Sequence, residues 1–227
     1  MAAEAHASAT PGLVDPGSPS AEPFRSLRLA LELRTESRRG NIVLFTSPEA
    51  GEGKSTIAAN FAFVSSFSQS SVLLIDGDLR RPTLHTLFGV PRNPGLVDGI
   101  TSLSTGEART DELPLTHEVG NLAKLSLITA GKPFARTGDL VSSRPMAHLL
   151  KLAASKYGLV VVDAPPLFLA ADAAGFAAHP GVDVVLVVTR NSKRRATMHA
   201  LRTLELIGAN VIGLVANREG TLSTYGY

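Results

Sequence analysis

The 227-residue chain contains no cysteine, which excludes disulfide bridges and thiolate metal sites and suits a reducing compartment. It also lacks any apolar run near the ~20 residues that a membrane helix needs, and its N-terminus carries no apolar signal core. The expectation is a chain that does not insert into a bilayer by itself. An excess of one charge is missing too: 22 Lys and Arg against 20 Asp and Glu leave a formal net charge of +2. Arginine-rich spots at Arg38-Arg39 and Lys193-Arg194-Arg195 read as solvated faces. They have no interleaved aromatic residues on which bases could stack, so no nucleic-acid partner is expected.

What is present is a chain that is 44% apolar, enough at this length to bury one core and tight for two. Residues 1–20, rich in Ala, Pro, Gly and Ser, cannot bury enough surface to offset chain entropy and read as a disordered lead-in. From Glu22, Phe24, Leu27 and Leu31 recur at helical spacing, with Gly40 placed to close the helix. Short, β-branched-rich apolar runs at 41–46, 71–76, 158–163, 182–188 and 210–216 read as buried strands. Helical segments near 54–67, 138–155, 170–178 and 194–207 lie between them. This alternation predicts an α/β fold with a mostly parallel central sheet covered by helices on both faces. Such sheets bind ligands at the carboxyl ends of their strands.

Three motifs sit at those ends. SPEAGEGKST, residues 47–56, follows the first strand. Gly51 and Gly53 allow a tight turn that brings amides close to an anion, and the helix starting near Lys54 adds its positive end. Lys54 supplies an ammonium for the outer phosphates, and Ser55 a hydroxyl for magnesium. Gly51, Glu52, Gly53, Lys54, Ser55 and Thr56 are the expected nucleotide contacts, although Pro48 stands where the strict pattern G-x-x-x-x-G-K-[ST] has its first glycine. VLLIDGDLRRP, residues 72–82, ends a strand with Asp76 and Asp78 on one side of an extended chain. Beside a nucleotide one could help to hold magnesium while the other accepts a proton; an ordinary Asp-Gly turn is the plainer account. LVVVDAPP, residues 159–166, delivers Asp163, which fits the carboxylate that completes a magnesium shell.

These stretches resemble the Walker A, Walker A′ and Walker B motifs of the bacterial tyrosine kinases, polysaccharide co-polymerase kinases related to the ParA and MinD ATPases. The Walker A′ pattern D-x-D-x-R is matched by Asp76, Asp78 and Arg80, and the Walker B pattern D-x-P-P by Asp163 to Pro166. Glu49 replaces the early lysine of ParA-like loops, which argues against that role. The resemblance implies a P-loop NTPase fold, with a kinase domain over 21–219 and a flexible tail over 220–227. It implies ATP and Mg²⁺ as cofactors, the latter held by Ser55 and Asp163 with Asp78 assisting. Asp76 would act as base, Lys54 would stabilise charge, and Arg80 would orient the aspartates or touch phosphate.

The resemblance also implies self-association into a ring through the E-x-x-R-x-x-R stretch Glu22, Arg25 and Arg28, which the residues alone would make local helical ion pairs. It makes Tyr225 and Tyr227 phosphoacceptors in trans, a pair where relatives carry a larger cluster. Asn217, in VANREG after the last strand, is the candidate for adenine, or a turn residue. A cytoplasmic protein held at the inner face of the membrane by a transmembrane adaptor, acting in capsule or exopolysaccharide synthesis and export, completes the expectation, with the catalytic portion of a longer membrane protein as the other arrangement that the resemblance implies. The alternative is a nucleotide-switched assembly ATPase of the ParA/MinD type with incidental tail tyrosines.

Overall fold

The computed structural model describes residues 12–34, 41–68, 71–107, 111–114, 116–119, 124–168 and 171–218. Seven strands form one sheet: β1 (Asn41–Thr46), β2 (Val72–Asp76), β3 (His117–Glu118), β4 (Leu125–Ile128), β5 (Leu159–Asp163), β6 (Val182–Thr189) and β7 (Asn210–Asn217). Their order is β3-β4-β2-β5-β1-β6-β7, and every pairing is parallel except β3 with β4. Among the described residues eight α-helices surround it: α1 (Glu22–Arg34), α2 (Lys54–Ser66), α3 (Leu84–Phe88), α4 (Leu96–Thr105), α5 (Thr137–Val141), α6 (Arg144–Lys156), α7 (Ala171–Ala177) and α8 (Arg194–Leu206).

The strands alternate their side chains between two cores, one per face. Ile42 and Leu44 join Phe176, Met146, Ile100 and Leu204 under α4 to α8. Val43 and Phe45 join Phe61, Leu31 and Leu84 under α1 to α3. Because both faces are covered, β2 and β5 are buried at every position, which is why they read as unbroken apolar runs.

The structure departs from the sequence reading in three places. The expected helix 138–155 is two helices: Ser143 caps α6, its Oγ accepting the Met146 N–H at 3.3 Å, and Pro145 sits in the first turn, where a proline is tolerated but cannot continue α5. Helices α3 and α4 and strands β3 and β4 were not foreseen. Residues ahead of Ala21, expected in the lead-in, are packed: Val14 donates its N–H to Asn60 Oδ1 at 2.7 Å, and Asn60 Nδ2 reaches Gly12 O at 3.0 Å. Composition could not reveal that α2 would offer this partner. Gly40, Tyr225 and Tyr227 lie outside the described residues.

Candidate active site

β2, β5 and β1 are neighbours in the sheet, and their carboxyl ends deliver the three motifs side by side. Parallel register sets Asp163 opposite both Asp76 and Phe45. The loop after β1 turns through Gly51 and Gly53, with φ of +84° and +83°, a region costly for any residue with a Cβ. Gly53 has no room for one in any case, since a Cβ there would overlap Asn217 Nδ2. α2 then starts at Lys54 with its first amides toward the loop, the arrangement that favours an anion.

The loop is braced from outside its own motif. Glu52 is 5% exposed; its Oε2 accepts the Glu49 N–H at 2.9 Å and its Oε1 accepts the Ser192 hydroxyl, from the turn between β6 and α8. Asn217 Nδ2 donates to Glu52 O at 2.9 Å, and its Oδ1 accepts the Arg218 N–H at 2.9 Å. Glu52 and Asn217, expected to touch nucleotide, therefore spend their side chains on the loop, and the cleft residue at the end of β7 is Arg218. Arg218 has φ +57°, a strained backbone of the kind that clusters at functional sites.

Lys54 joins the motifs. Its Nζ lies 2.9 Å from Asp78 Oδ2, 3.3 Å from Asp163 Oδ1 and 3.1 Å from Ser55 Oγ. Burial alone would lower the lysine pKa, but Asp163 and Asp78 outweigh it and hold the group charged. Burial raises Asp163 despite Lys54 and the Ser55 hydroxyl. Burial, then the nearby Asp163, push Asp76 up to about 8, although its Oδ2 accepts the Leu84 N–H at 3.1 Å. Asp78 Oδ1 accepts the Arg81 N–H at 3.1 Å. A cleft of about 930 Å³ opens over this cluster, lined by Gly51, Gly53, Lys54, Ser55, Thr56, Asp78, Arg80, Arg81 and Arg218 among others. Its volume suits a nucleotide. Asp76 does not line it.

Arg80, expected to orient the aspartates or to touch phosphate, bonds neither Asp76 nor Asp78 and lines the cleft. Its Nε donates to Asp172 Oδ2 at 2.9 Å and its Nη2 to Asp172 Oδ1 at 3.3 Å. On α1, Arg25 pairs with Glu22 at 2.7 Å and Arg28 with Glu32 at 2.7 Å, the local geometry that the helical spacing allows.

Magnesium in such sites keeps water and phosphate ligands and takes few from protein. The residues present fit that demand. Among the described residues no three His, Cys, Asp or Glu converge as an all-protein metal site. Asp163 Oδ2 and Asp76 Oδ1 are buried oxygens with no hydrogen-bond partner, beside the Ser55 hydroxyl that also reaches Asp163.

The sequence is 36% identical over 215 residues to the tyrosine-protein kinase EpsB of Ralstonia solanacearum, covering 93% of this chain and 28% of that protein. It is 30% identical over 217 residues to the tyrosine-protein kinase YwqD of Bacillus subtilis, covering 95% of this chain and 89% of the relative. The chain belongs to the bacterial tyrosine kinase family. The kinase domain of the Escherichia coli tyrosine kinase ETK superposes with a TM-score of 0.78 at 28% identity, covering 93% of this chain and 82% of that domain. No protein-family model matches the sequence. The chain thus spans about a quarter of the Ralstonia kinase and most of the Bacillus kinase. Among the described residues no helix is long and apolar enough to cross a membrane.

Asp172, Thr137, Ser192 and Arg218 escaped the reading of this kinase-family sequence. Asp172 alone left a trace, as one carboxylate in the small apolar run AADAAGFAA, where a buried charge requires a partner. The others are common polar residues in turns and at helix starts.

Proposed function

We propose that the chain is an ATP-dependent protein-tyrosine kinase that phosphorylates Tyr225 and Tyr227 of a neighbouring copy, in a system for polysaccharide synthesis and export at the inner face of the membrane. Family membership supports the activity, and one observation carries it: three adjacent strands gather Lys54, Asp78 and Asp163 into one ion-paired cluster under a cleft that Lys54 and Asp78 line together with the glycine loop.

Lys54 changes partners in the cycle. With no phosphate to hold, it neutralises Asp78 and Asp163; on nucleotide binding it moves to the phosphates, and the loop amides join it in stabilising their charge. Ser55 and Asp163, assisted by Asp78, hold the magnesium ion, which supplies neutralisation of the phosphate oxygens. A tyrosine hydroxyl, with pKa about 10, must lose its proton during transfer. Asp76 is the proposed acceptor, and because it is fully buried and does not line the cleft, it can act only in a conformation in which nucleotide binding has opened the cleft to it. Arg80 and Arg218 add positive charge in the cleft wall. Phosphate on the tail adds about two negative charges per tyrosine, disfavouring its return to a site that already holds a polyanionic nucleotide and loosening the assembly. A transmembrane adaptor positions and activates the subunit.

Purified protein incubated with ATP and Mg²⁺ should gain phosphate on Tyr225 or Tyr227 by intact-mass spectrometry with site mapping, and Lys54→Met should abolish it. ATP hydrolysis with no phosphotyrosine, even with adaptor segments added, would instead establish the assembly ATPase. Replacing both tail tyrosines with Phe separates the two readings again, because only a kinase then loses its phosphotyrosine signal.

A further inference from the structure

We propose that Asp172 is a positioning residue for the nucleotide cleft, acting with Thr137 and through Arg80; the proposal rests on the nucleotide-binding reading of that cleft. Asp172 lies at the start of α7, 92 residues from Arg80 in sequence, yet it takes two of the guanidinium donors. Its carboxylate is fully buried while the Arg80 side chain is 51% exposed. Thr137, at the start of α5, donates its hydroxyl to Asp172 Oδ2 at 2.7 Å. The carboxylate is therefore held by Thr137 as well as by the arginine.

The helix behind Asp172 is itself anchored to the Walker A′ loop. Phe176, four residues on and so on the same helical face, is 1% exposed. A Cβ on Gly77 would lie 2.9 Å from its ring and 2.9 Å from Asp163 O. α7 thus grips segment 77–80 at both ends, at Gly77 through Phe176 and at Arg80 through Asp172. Gly175 seats α7 against α5, since a Cβ there would meet Val141 Cγ2 and Ser142 Oγ at 2.8 Å.

The chemistry of the pair explains the arrangement. Asp172 binds the Nε and Nη2 edge of the guanidinium, leaving both Nη1 donors for the cleft that Arg80 lines. An exposed arginine without this partner samples many rotamers. One held side-on by a buried carboxylate presents a fixed fork, which is what placing charge at a transferring phosphoryl group requires.

The test uses Asp172→Asn, which keeps shape and loses charge, with Arg80→Lys and the double variant. ATP turnover, counted as phosphotyrosine plus released phosphate, reads the site whether or not the kinase reading holds. Asp172→Asn should lower kcat about tenfold, with ADP affinity within about twofold because the loop and Lys54 hold that ligand. The double variant should fall no further than Arg80→Lys alone. In ¹⁵N-arginine spectra the Arg80 Nε–H resonance, assigned by its loss in Arg80→Lys, should be sharp in the wild type and averaged in Asp172→Asn. If Asp172→Asn does not fold, Thr137→Val removes one support and should give the same pattern at smaller amplitude. Turnover of Asp172→Asn within twofold of wild type, additive losses, or an unchanged Arg80 resonance would each overturn the proposal. Absent phosphotyrosine with normal hydrolysis would sink the kinase reading and leave the turnover comparison intact.

Discussion

At the scale of the residue, the site is a set of charges that depend on each other. Asp76 is the extreme case: fully buried, facing Asp163 across the sheet, and raised from 3.8 to about 8. The folded protein binds this proton more tightly than the unfolded chain does. Its contribution to stability is therefore complete below about pH 4 and is lost as pH rises through about 8. At 1.36 kcal/mol per pH unit the ceiling on that loss is roughly 6 kcal/mol. Asp76→Asn, which cannot ionise, should therefore melt higher than wild type at pH 9 in nucleotide- and magnesium-free buffer. The gap should shrink toward zero on lowering the pH toward 4. Thermal melts of both proteins across that range decide the matter, and a gap independent of pH would contradict the assignment. A bound cation favours the carboxylate, so added Mg·ADP should narrow the difference at pH 9.

At the scale of the element, the P-loop helix α2 serves two masters. Its N-terminus faces the cleft, while Asn60, two turns in, accepts from Val14 and donates to Gly12 and to Thr56 O at 2.8 Å. Gly12 in turn abuts Leu87 of α3 at 3.1 Å from its added-Cβ position, and Leu87 lines the cleft. Asn60→Ala should release residues 12–18, cost about 1–3 kcal/mol for the buried groups left unpaired, and speed proteolysis before α1. Limited digestion followed by mass spectrometry measures this; unchanged cleavage would mean that Leu13 packing alone holds the segment. None of it was legible in the sequence. The central strands were, because a strand buried on both faces writes its burial as an unbroken Val, Leu and Ile run such as VLLI or LVVV. Lys54, Asp76, Asp78 and Asp163 were legible for a related reason: their spacing within each loop is local. Helices α3 and α4 are short segments whose burial is set by distant neighbours. Thr137 to Asp172, Arg80 to Asp172 and Glu52 to Ser192 span 35, 92 and 140 residues, and no local pattern encodes such a meeting.

At the scale of the whole molecule, the proposed transfer between copies requires a surface on which they meet. On α1, Glu22, Arg25, Leu29 and Leu33 fall at spacings of three and four, so they share a face. Leu29 is 55% and Leu33 72% exposed, a pair of large apolar side chains in water next to the charged motif. The Glu22–Arg25 ion pair is solvent-exposed and contributes little to the fold, so Glu22 is free to exchange Arg25 for a partner on a second copy, while Arg25 also donates to Pro16 O. An interface built on this stripe joins an apolar centre to a charged rim, the usual anatomy of protein contacts. Replacing Leu29 and Leu33 with Glu should therefore leave the melting temperature within a few degrees while shifting the wild-type assembly to monomer in sedimentation-velocity runs. Arg25→Glu with Arg28→Glu should do the same. Under the proposed transfer to the tail of a neighbour, either pair of substitutions should also cut phosphotyrosine formation about tenfold or more at low protein concentration, with ADP binding unchanged. A monomeric variant that phosphorylates itself as fast as wild type, at a rate independent of concentration, would show transfer within one chain and make the α1 pairs local helical contacts after all.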